Sequence, residues 1–252
     1  MKLLHKECCL ETMMNMSSDE VDLIITSPPY NMNLRIRNGK YCSRQIVKEF
    51  STKYEGNFSD NMPIDEYYEF HKKVIREMLR VCKNQIFYNI GIVTGSKRAI
   101  FKLIGDFNES LKDIIVWDKG YGQPSMQQGV LNRATELILV FDDHNAISRK
   151  FDNAVFERGT LNDIWRINRK RSKHNQKHGA TFPEELVETI LLNFSNKGDM
   201  IYDAFMGTGT VGSVAKKLGR KFCGSEITDE YYQIAVNRFS KSGGKNVIWR
   251  SC

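Results

Sequence analysis

The chain has 252 residues, enough for one large domain or two small ones with a buried core. Hydrophobic residues make up 41% and charged residues 27%, which excludes wholesale disorder, and the net charge of +7 points to a polyanionic partner such as nucleic acid. The six cysteines (Cys8, Cys9, Cys42, Cys82, Cys223 and Cys252) form no C-x-x-C pair, and no apolar run reads as a leader or a membrane span. Neither a disulfide framework nor a metal site is therefore expected. The cysteines read as small buried hydrophobes in a reduced, cytoplasmic protein.

Short apolar runs alternate with amphipathic helical patterns, as in an α/β fold with a mainly parallel sheet. A strand is expected over residues 2–7 and a second over 21–26, running into Ser27-Pro28-Pro29-Tyr30. Residues 31–61 are polar and basic with no clear period. A helix follows over 65–82, with Tyr67, His71, Val74, Met78 and Cys82 on one stripe, joined by Ile75 and Leu79. Strands are expected over 85–90, 113–117 and 136–141, the last two separated by a loop at 120–132. Residues 166–178 form a dense basic run. A helix over 183–194 begins with proline in its first turn. A strand over 200–204, a helix over 210–218, a strand over 221–226 and a helix over 229–239 complete the series. The predicted sheet thus has seven strands.

Residues 200–210 read M-I-Y-D-A-F-M-G-T-G-T. An apolar strand ends in Asp203, and a turn with Gly207 and Gly209 leads into a helix at Thr210. Glycine reaches backbone angles closed to other residues and leaves room for a ligand, while a helix start offers free amides. The next strand ends in Glu226, about twenty residues on, where a carboxylate can accept both hydroxyls of a ribose. The pattern D-x-F-x-G-x-G-T suits adenosylmethionine better than a dinucleotide, because nothing in it cradles a pyrophosphate.

In the early turn, the prolines fix their own φ and remove two amide donors, so the carbonyls are held in place to accept. Ser27 adds a side-chain acceptor and Tyr30 a flat aromatic face. An exocyclic base amine needs such a site, because its lone pair is delocalised into the ring. Two acceptors on its hydrogens can draw the nitrogen toward tetrahedral and aim the lone pair at a methyl donor. The aromatic ring can stack on a base that has left the helix, and that ring face is expected to matter more than the Tyr30 hydroxyl.

These elements, in this order, resemble the amino-methylating DNA methyltransferases of bacterial restriction–modification systems, in the permuted arrangement called the beta class. The resemblance runs over nearly the whole chain. It takes in T-S-P-P-Y, W-D-K at 117–119, A-T-E-L-I-L-V-F around Glu136, N-D-I-W-R-I at 162–167, H-G-A-T-F-P-E-E-L at 178–186, D-A-F-M-G-T-G-T and L-G-R-K-F-C-G-S-E-I. It implies a circularly permuted Rossmann-like methyltransferase fold with helices on both sheet faces. The catalytic half would be residues 1–141, a small target-recognition segment 142–177, and the cofactor half 178–252, together one compact catalytic domain. Asp203, Ala204, Phe205, Gly207, Gly209 and Thr210 would line the methionine part of S-adenosylmethionine, and Glu226 would bind its ribose. Glu7 stands where the family usually has Asp, beside the adenine. His178 and Thr181-Phe182-Pro183 would close over the methionine end, with Gly179 in place of a common proline. Ser27, Pro28, Pro29 and Tyr30 would hold the target base.

The order, catalytic turn before cofactor turn, argues against protein-glutamine and many RNA methyltransferases. No proline precedes a cysteine, so covalent attack on a cytosine ring is not expected. The family uses Asp-Pro-Pro-Tyr mostly for adenine N6 and Ser-Pro-Pro-Tyr mostly for cytosine N4, so the resemblance leans to cytosine N4. Adenine N6 is the alternative. An RNA amino-methyltransferase and an inactive DNA-binding homologue stand further off. Contacts to duplex DNA are expected from Arg35, Arg37, Lys119, Arg166, Arg169, Lys170, Arg171 and Lys173. A companion restriction endonuclease or second methyltransferase is the expected partner, with the chain itself a monomer or homodimer.

Overall fold

The computed structural model describes residues 4–32, 34–37, 40–43, 61–122, 128–168 and 182–241, with the backbone alone at 34–37, 40–43 and 241. All seven expected strands form: β1 (Leu4–His5), β2 (Leu23–Thr26), β5 (Ile86–Ile90), β6 (Leu111–Asp118), β7 (Thr135–Phe141), β9 (Met200–Asp203) and β10 (Lys221–Ser225). An eighth, β8 (Ile164–Arg166), joins them, so the sheet has eight strands among the described residues, in the order β1-β10-β9-β2-β5-β7-β6-β8. Strands β1, β10, β9, β2 and β5 are mutually parallel, β7 is antiparallel to both β5 and β6, and β8 runs parallel to β6. The extra strand comes from the segment expected to recognise DNA. It is a three-residue edge strand with only Trp165 buried, too short to leave a period in the sequence.

The central strands are buried on both faces, which is why they read as unbroken apolar runs. Alternate residues serve two cores. Ile24, Ile86, Tyr88, Leu139 and Tyr202 face helices α1 (Cys9–Met14), α2 (Ile64–Val81) and α3 (Lys97–Asp106). Leu23, Ile25, Phe87, Val140 and Ile201 face α4 (Glu184–Phe194), α5 (Thr210–Lys217) and α6 (Asp229–Lys241). The expected stripe of α2 is the buried one, from Tyr67 through His71 and Val74 to Met78. Helices α1 and α3, and the hairpin β3 (Leu34–Arg37) with β4 (Lys40–Ser43), are additions to the sequence reading. Of the cysteines, Cys9, Cys82 and Cys223 are buried as expected. Among the described residues, no helix is long and apolar enough to cross a membrane.

The topology puts the two singled-out turns side by side. β2 and β9 are parallel neighbours, so the chain leaves both at the same edge of the sheet, where ligands of open α/β sheets bind. Thr26 at the end of β2 donates its hydroxyl to Asp203 Oδ1 at the end of β9, 2.7 Å away. The Phe205 amide donates to the same carboxylate at 3.1 Å.

Candidate active site

A cavity of about 260 Å³ opens over the ends of β2, β5, β9 and β10. All four residues of the Ser27–Tyr30 turn line it. So do Glu7, Phe182, Asp203, Ala204, Phe205, Gly207, Thr210 and Glu226 from the expected cofactor set. Two residues of that set, Gly209 and Pro183, lie elsewhere. Gly209 sits at φ +77° as the N-cap of α5, and a Cβ there would stand 3.1 Å from Ala235 and Phe239 of α6. Its missing side chain therefore makes room for a helix, not for a ligand. Pro183 is the N-cap of α4. Gly207, at φ +53°, does line the cavity, and a Cβ there would meet nothing nearer than the Phe205 carbonyl at 3.9 Å. His178, Thr181, Arg169, Lys170, Arg171 and Lys173 lie outside the described residues.

One end of the cavity is walled by two buried carboxylates. Asp203 is 2% exposed, and burial pushes its carboxyl up to about 7, against the opposing pull of the Thr26 hydroxyl and the Phe205 amide. Glu226 is also raised by burial. Its Oε2 accepts the Gly207 amide at 2.9 Å and its Oε1 the Thr228 amide at 2.7 Å, so this carboxylate ties the glycine turn to the end of β10. Neither carboxylate forms an ion pair among the described residues. The Thr208 hydroxyl, in the same turn, is buried without a hydrogen-bond partner among the described residues. Glu7 accepts the Thr12 hydroxyl at 2.8 Å and lies 3.2 Å from His5 Nδ1.

The other end holds the Ser-Pro-Pro-Tyr turn, and its surroundings correct two expectations. The Pro29 carbonyl is not left free, because Tyr67 of α2 donates its hydroxyl to it at 2.8 Å. The Pro28 carbonyl, by contrast, accepts no hydrogen bond among the described residues. Lys119 is not at the expected DNA surface. Its side chain is 10% exposed and its ammonium donates to Glu136 Oε1 at 3.1 Å. Arg166 is exposed on the edge strand, 3.8 Å from Asp118. Arg35 and Arg37 lie on β3, where only the backbone is described.

Sequence reasoning missed the polar group beneath Tyr30. The Tyr30 hydroxyl donates to Glu136 Oε2 at 2.9 Å. Asn89 donates to the Tyr30 hydroxyl at 2.6 Å and to Glu136 Oε2 at 2.8 Å, and Ser27 Oγ lies 3.1 Å from the same hydroxyl. Asn89, near the end of β5, and Glu136, near the start of β7, meet because those strands are antiparallel neighbours. The signal was present in the sequence, since a polar residue inside an apolar strand must find a partner. Gly91 was missed too. A Cβ there would stand 2.8 Å from the Tyr30 ring, so glycine seats that ring against the end of β5. Phe70 of α2 adds an aromatic wall beside Phe205, with ring centroids 6.3 Å apart.

Comparisons with known proteins give the family and the fold. The type II methyltransferase M2.DpnII of Streptococcus pneumoniae is 28% identical over 98% of this chain and 92% of its own length. M2.LlaDCHI of Lactococcus lactis subsp. cremoris, also a type II methyltransferase, is 30% identical over 88% of this chain and 83% of its own. Among solved structures, the cytosine-N4-specific PvuII DNA methyltransferase shares the fold with a TM-score of 0.69 at 15% identity, covering 96% of this chain and 87% of that one. M1.HpyAVI, solved as a complex with SAM, shares it with a TM-score of 0.59 at 23% identity, covering 94% and 100%. The family model for N6/N4 DNA methylases matches residues 21–237. This chain belongs to the N6/N4 DNA methylase family.

Proposed function

We propose that the protein transfers the methyl group of S-adenosylmethionine to the exocyclic N4 amine of a cytosine in duplex DNA. The observation that carries this reading is one cavity with a Ser-Pro-Pro-Tyr turn at one end and a buried carboxylate pair beside a glycine turn at the other. The cofactor end fits a cationic nucleoside. Asp203 and Glu226 are buried acids with no ion-pair partner among the described residues, Gly207 leaves open space, and Thr208 has an unused hydroxyl. Asp203 would hold the charged methionine part, Glu226 the ribose, and Phe205 and Phe182 the apolar flanks. Bound there, adenosylmethionine supplies an electrophilic methyl on a sulfonium centre.

The protein's own part is positioning and electrostatics. A base rotated out of the helix stacks on Tyr30. Its amine hydrogens are taken by Ser27 Oγ and the Pro28 carbonyl, which turns the nitrogen lone pair toward the cofactor end. Ser27 in place of an acidic residue favours cytosine, and the PvuII enzyme, which shares the fold, is cytosine-N4-specific. Arg166 and the basic residues 169–173 would meet phosphates. The protein would serve as the modification arm of a restriction–modification pair, with a companion endonuclease or second methyltransferase as partner.

The deciding experiment incubates the protein with labelled adenosylmethionine and unmodified, PCR-amplified duplex DNA, followed by mass analysis of the nucleosides. N4-methylcytosine is expected. N6-methyladenine as the only product overturns the choice of base and leaves the amine chemistry standing. Methylation of RNA in preference to DNA overturns the substrate class.

A further inference from the structure

We propose that Glu136 is a positioning residue that fixes the direction of the hydrogen bonds reaching Ser27, and so makes Ser27 an acceptor for the target amine. The inference rests on the amine-methylation reading above. It follows from counting protons in the group beneath Tyr30. A carboxylate only accepts. The Asn89 amide nitrogen only donates; with two hydrogens it serves its two short contacts, at 2.6 Å to the Tyr30 hydroxyl and 2.8 Å to Glu136, and its third, to Ser27 Oγ, is the longest at 3.4 Å. The single proton of Tyr30 therefore lies on the 2.9 Å contact to Glu136, since without it two oxygens would face each other bare. The 3.1 Å contact between Ser27 and Tyr30 can then be made only by Ser27's own proton. Ser27 is left with lone pairs toward the cavity, which an N–H of the base requires. Lys119, 3.1 Å from the other oxygen of Glu136, anchors the far end of this chain.

The direction also gives the reaction a place for its proton. As the amine nitrogen forms its bond to the methyl carbon, the sulfur–carbon bond breaks and its electron pair stays on sulfur, which becomes a neutral thioether. The nitrogen, now carrying an extra positive charge, releases one hydrogen to Ser27 Oγ. Ser27 passes its proton to Tyr30, and Tyr30 passes its own to Glu136. One sulfonium charge and one carboxylate charge are cancelled, and no other reactant is needed. Chains of hydrogen bonds that polarise one another in this way are stronger than isolated ones.

A glutamine at position 136 keeps the shape but cannot take up the proton at the end of the chain. The Lys119 ammonium can only donate, so the amide oxygen would turn to it, and the amide nitrogen would face the two donors, Tyr30 and Asn89, that Glu136 Oε2 accepts. Tyr30 would then lose its acceptor, and Ser27 would no longer be held as the donor of their pair. The test compares wild type, Glu136→Gln, Tyr30→Phe and the double variant. It measures single-turnover methyl transfer to unmodified PCR-amplified DNA, calorimetric affinity for adenosylmethionine, affinity for the same DNA, and melting temperature. Each single variant should lose about 100-fold in transfer rate, the scale of positioned proton transfer. Both binding constants should stay within about threefold, and the double variant should be no worse than about threefold beyond the poorer single, because Tyr30→Phe has already cut the chain. Losses that multiply, or a Tyr30→Phe protein as fast as wild type, overturn the proposal. Should Glu136→Gln fail to fold, Lys119→Met with Glu136→Gln, which leaves no unpaired buried charge, takes its place with the same expected loss. A wild type that methylates no DNA overturns the functional reading and this inference with it. An active wild type with multiplying losses overturns the inference alone.

Discussion

The two ends of the cavity are both built around carboxylates, yet they are opposite in charge balance. At the Ser-Pro-Pro-Tyr end, Glu136 is matched by Lys119 and surrounded by donors. At the other, Asp203 and Glu226 share a wall with only hydroxyl and amide donors, and burial raises both. A balanced end suits a neutral base. An end with surplus negative charge suits a ligand that brings positive charge with it, and the ionisation burial suppresses in the empty protein becomes favourable once that charge arrives. Specificity for a cationic cofactor and an uncharged target can thus be read from ion pairing before any ligand is considered.

The contrast predicts that the ends can be damaged separately. The largest effect should come from Tyr30→Ala, which removes both the stacking face and the hub of the polar group. Transfer should fall by about 1,000-fold or more while adenosylmethionine affinity changes by less than about twofold. A parallel collapse of cofactor affinity, read by calorimetry, would show that the ends are one unit. Gly91→Ala attacks the same end from behind, because its new methyl group must displace the Tyr30 ring. A drop in transfer of about 10- to 100-fold with cofactor binding intact is expected, on the scale of a misplaced catalytic group.

Asp203→Asn should act the other way, weakening adenosylmethionine by about 10-fold or more and leaving DNA affinity unchanged, as befits loss of a charged hydrogen-bond acceptor. A smaller effect follows from pH. A cationic ligand prefers the ionised carboxylate, so affinity should climb as pH rises toward about 7 and level off above it. For the empty protein the sign is reversed. Asp203's folded value lies above its unfolded one, so its contribution to stability is full in acid and is lost as pH rises through about 7. The melting-temperature gain from adenosylmethionine should accordingly be larger at about pH 8 than at about pH 6, and Asp203→Asn should erase that difference. Equal gains at both values would count against Asp203 as the cofactor's counter-charge. The mildest effect on turnover at saturating DNA should come from neutralising Arg169, Lys170 and Arg171 together. That variant should flatten the salt dependence of DNA binding by up to about three counterions, and an unchanged slope would place the DNA surface elsewhere.

Most of the sheet was legible, because parallel strands covered on both faces must be apolar throughout, and 23–26 and 86–90 could be little else. Helix α2 was legible from its stripe. Helix α3 carries Ala99, Ile100 and Leu103 at helical spacing, but ten residues between two strands give a weak period. The hairpin of β3 and β4 had a usable signal in Asn38-Gly39 between alternating residues, which a reading for polarity passed over. At the site, motifs placed the backbone correctly and the side-chain partners poorly. Glycines 207 and 209 read alike in the sequence, yet one faces the cavity and the other a helix. Lys119 read as a surface cation because its partner, Glu136, is seventeen positions away on a neighbouring strand. Local pattern fixes which face a residue presents, whereas the partner it finds there depends on strands brought together from far along the chain.

The bond between Thr26 and Asp203 joins residues 177 positions apart, and β1 lies against β10 in the same way. The early part of the chain thus holds the Ser-Pro-Pro-Tyr turn, but β9, which stands beside it and carries Asp203, is made some 170 residues later. Contacts at such separation form late, after a long loop has been closed. A nascent chain halted before β9 would display Ser27 to Tyr30 with no wall for the cofactor. The protein would therefore gain its capacity to mark DNA only once β9 and β10 have been made, and fragments released before them would be silent.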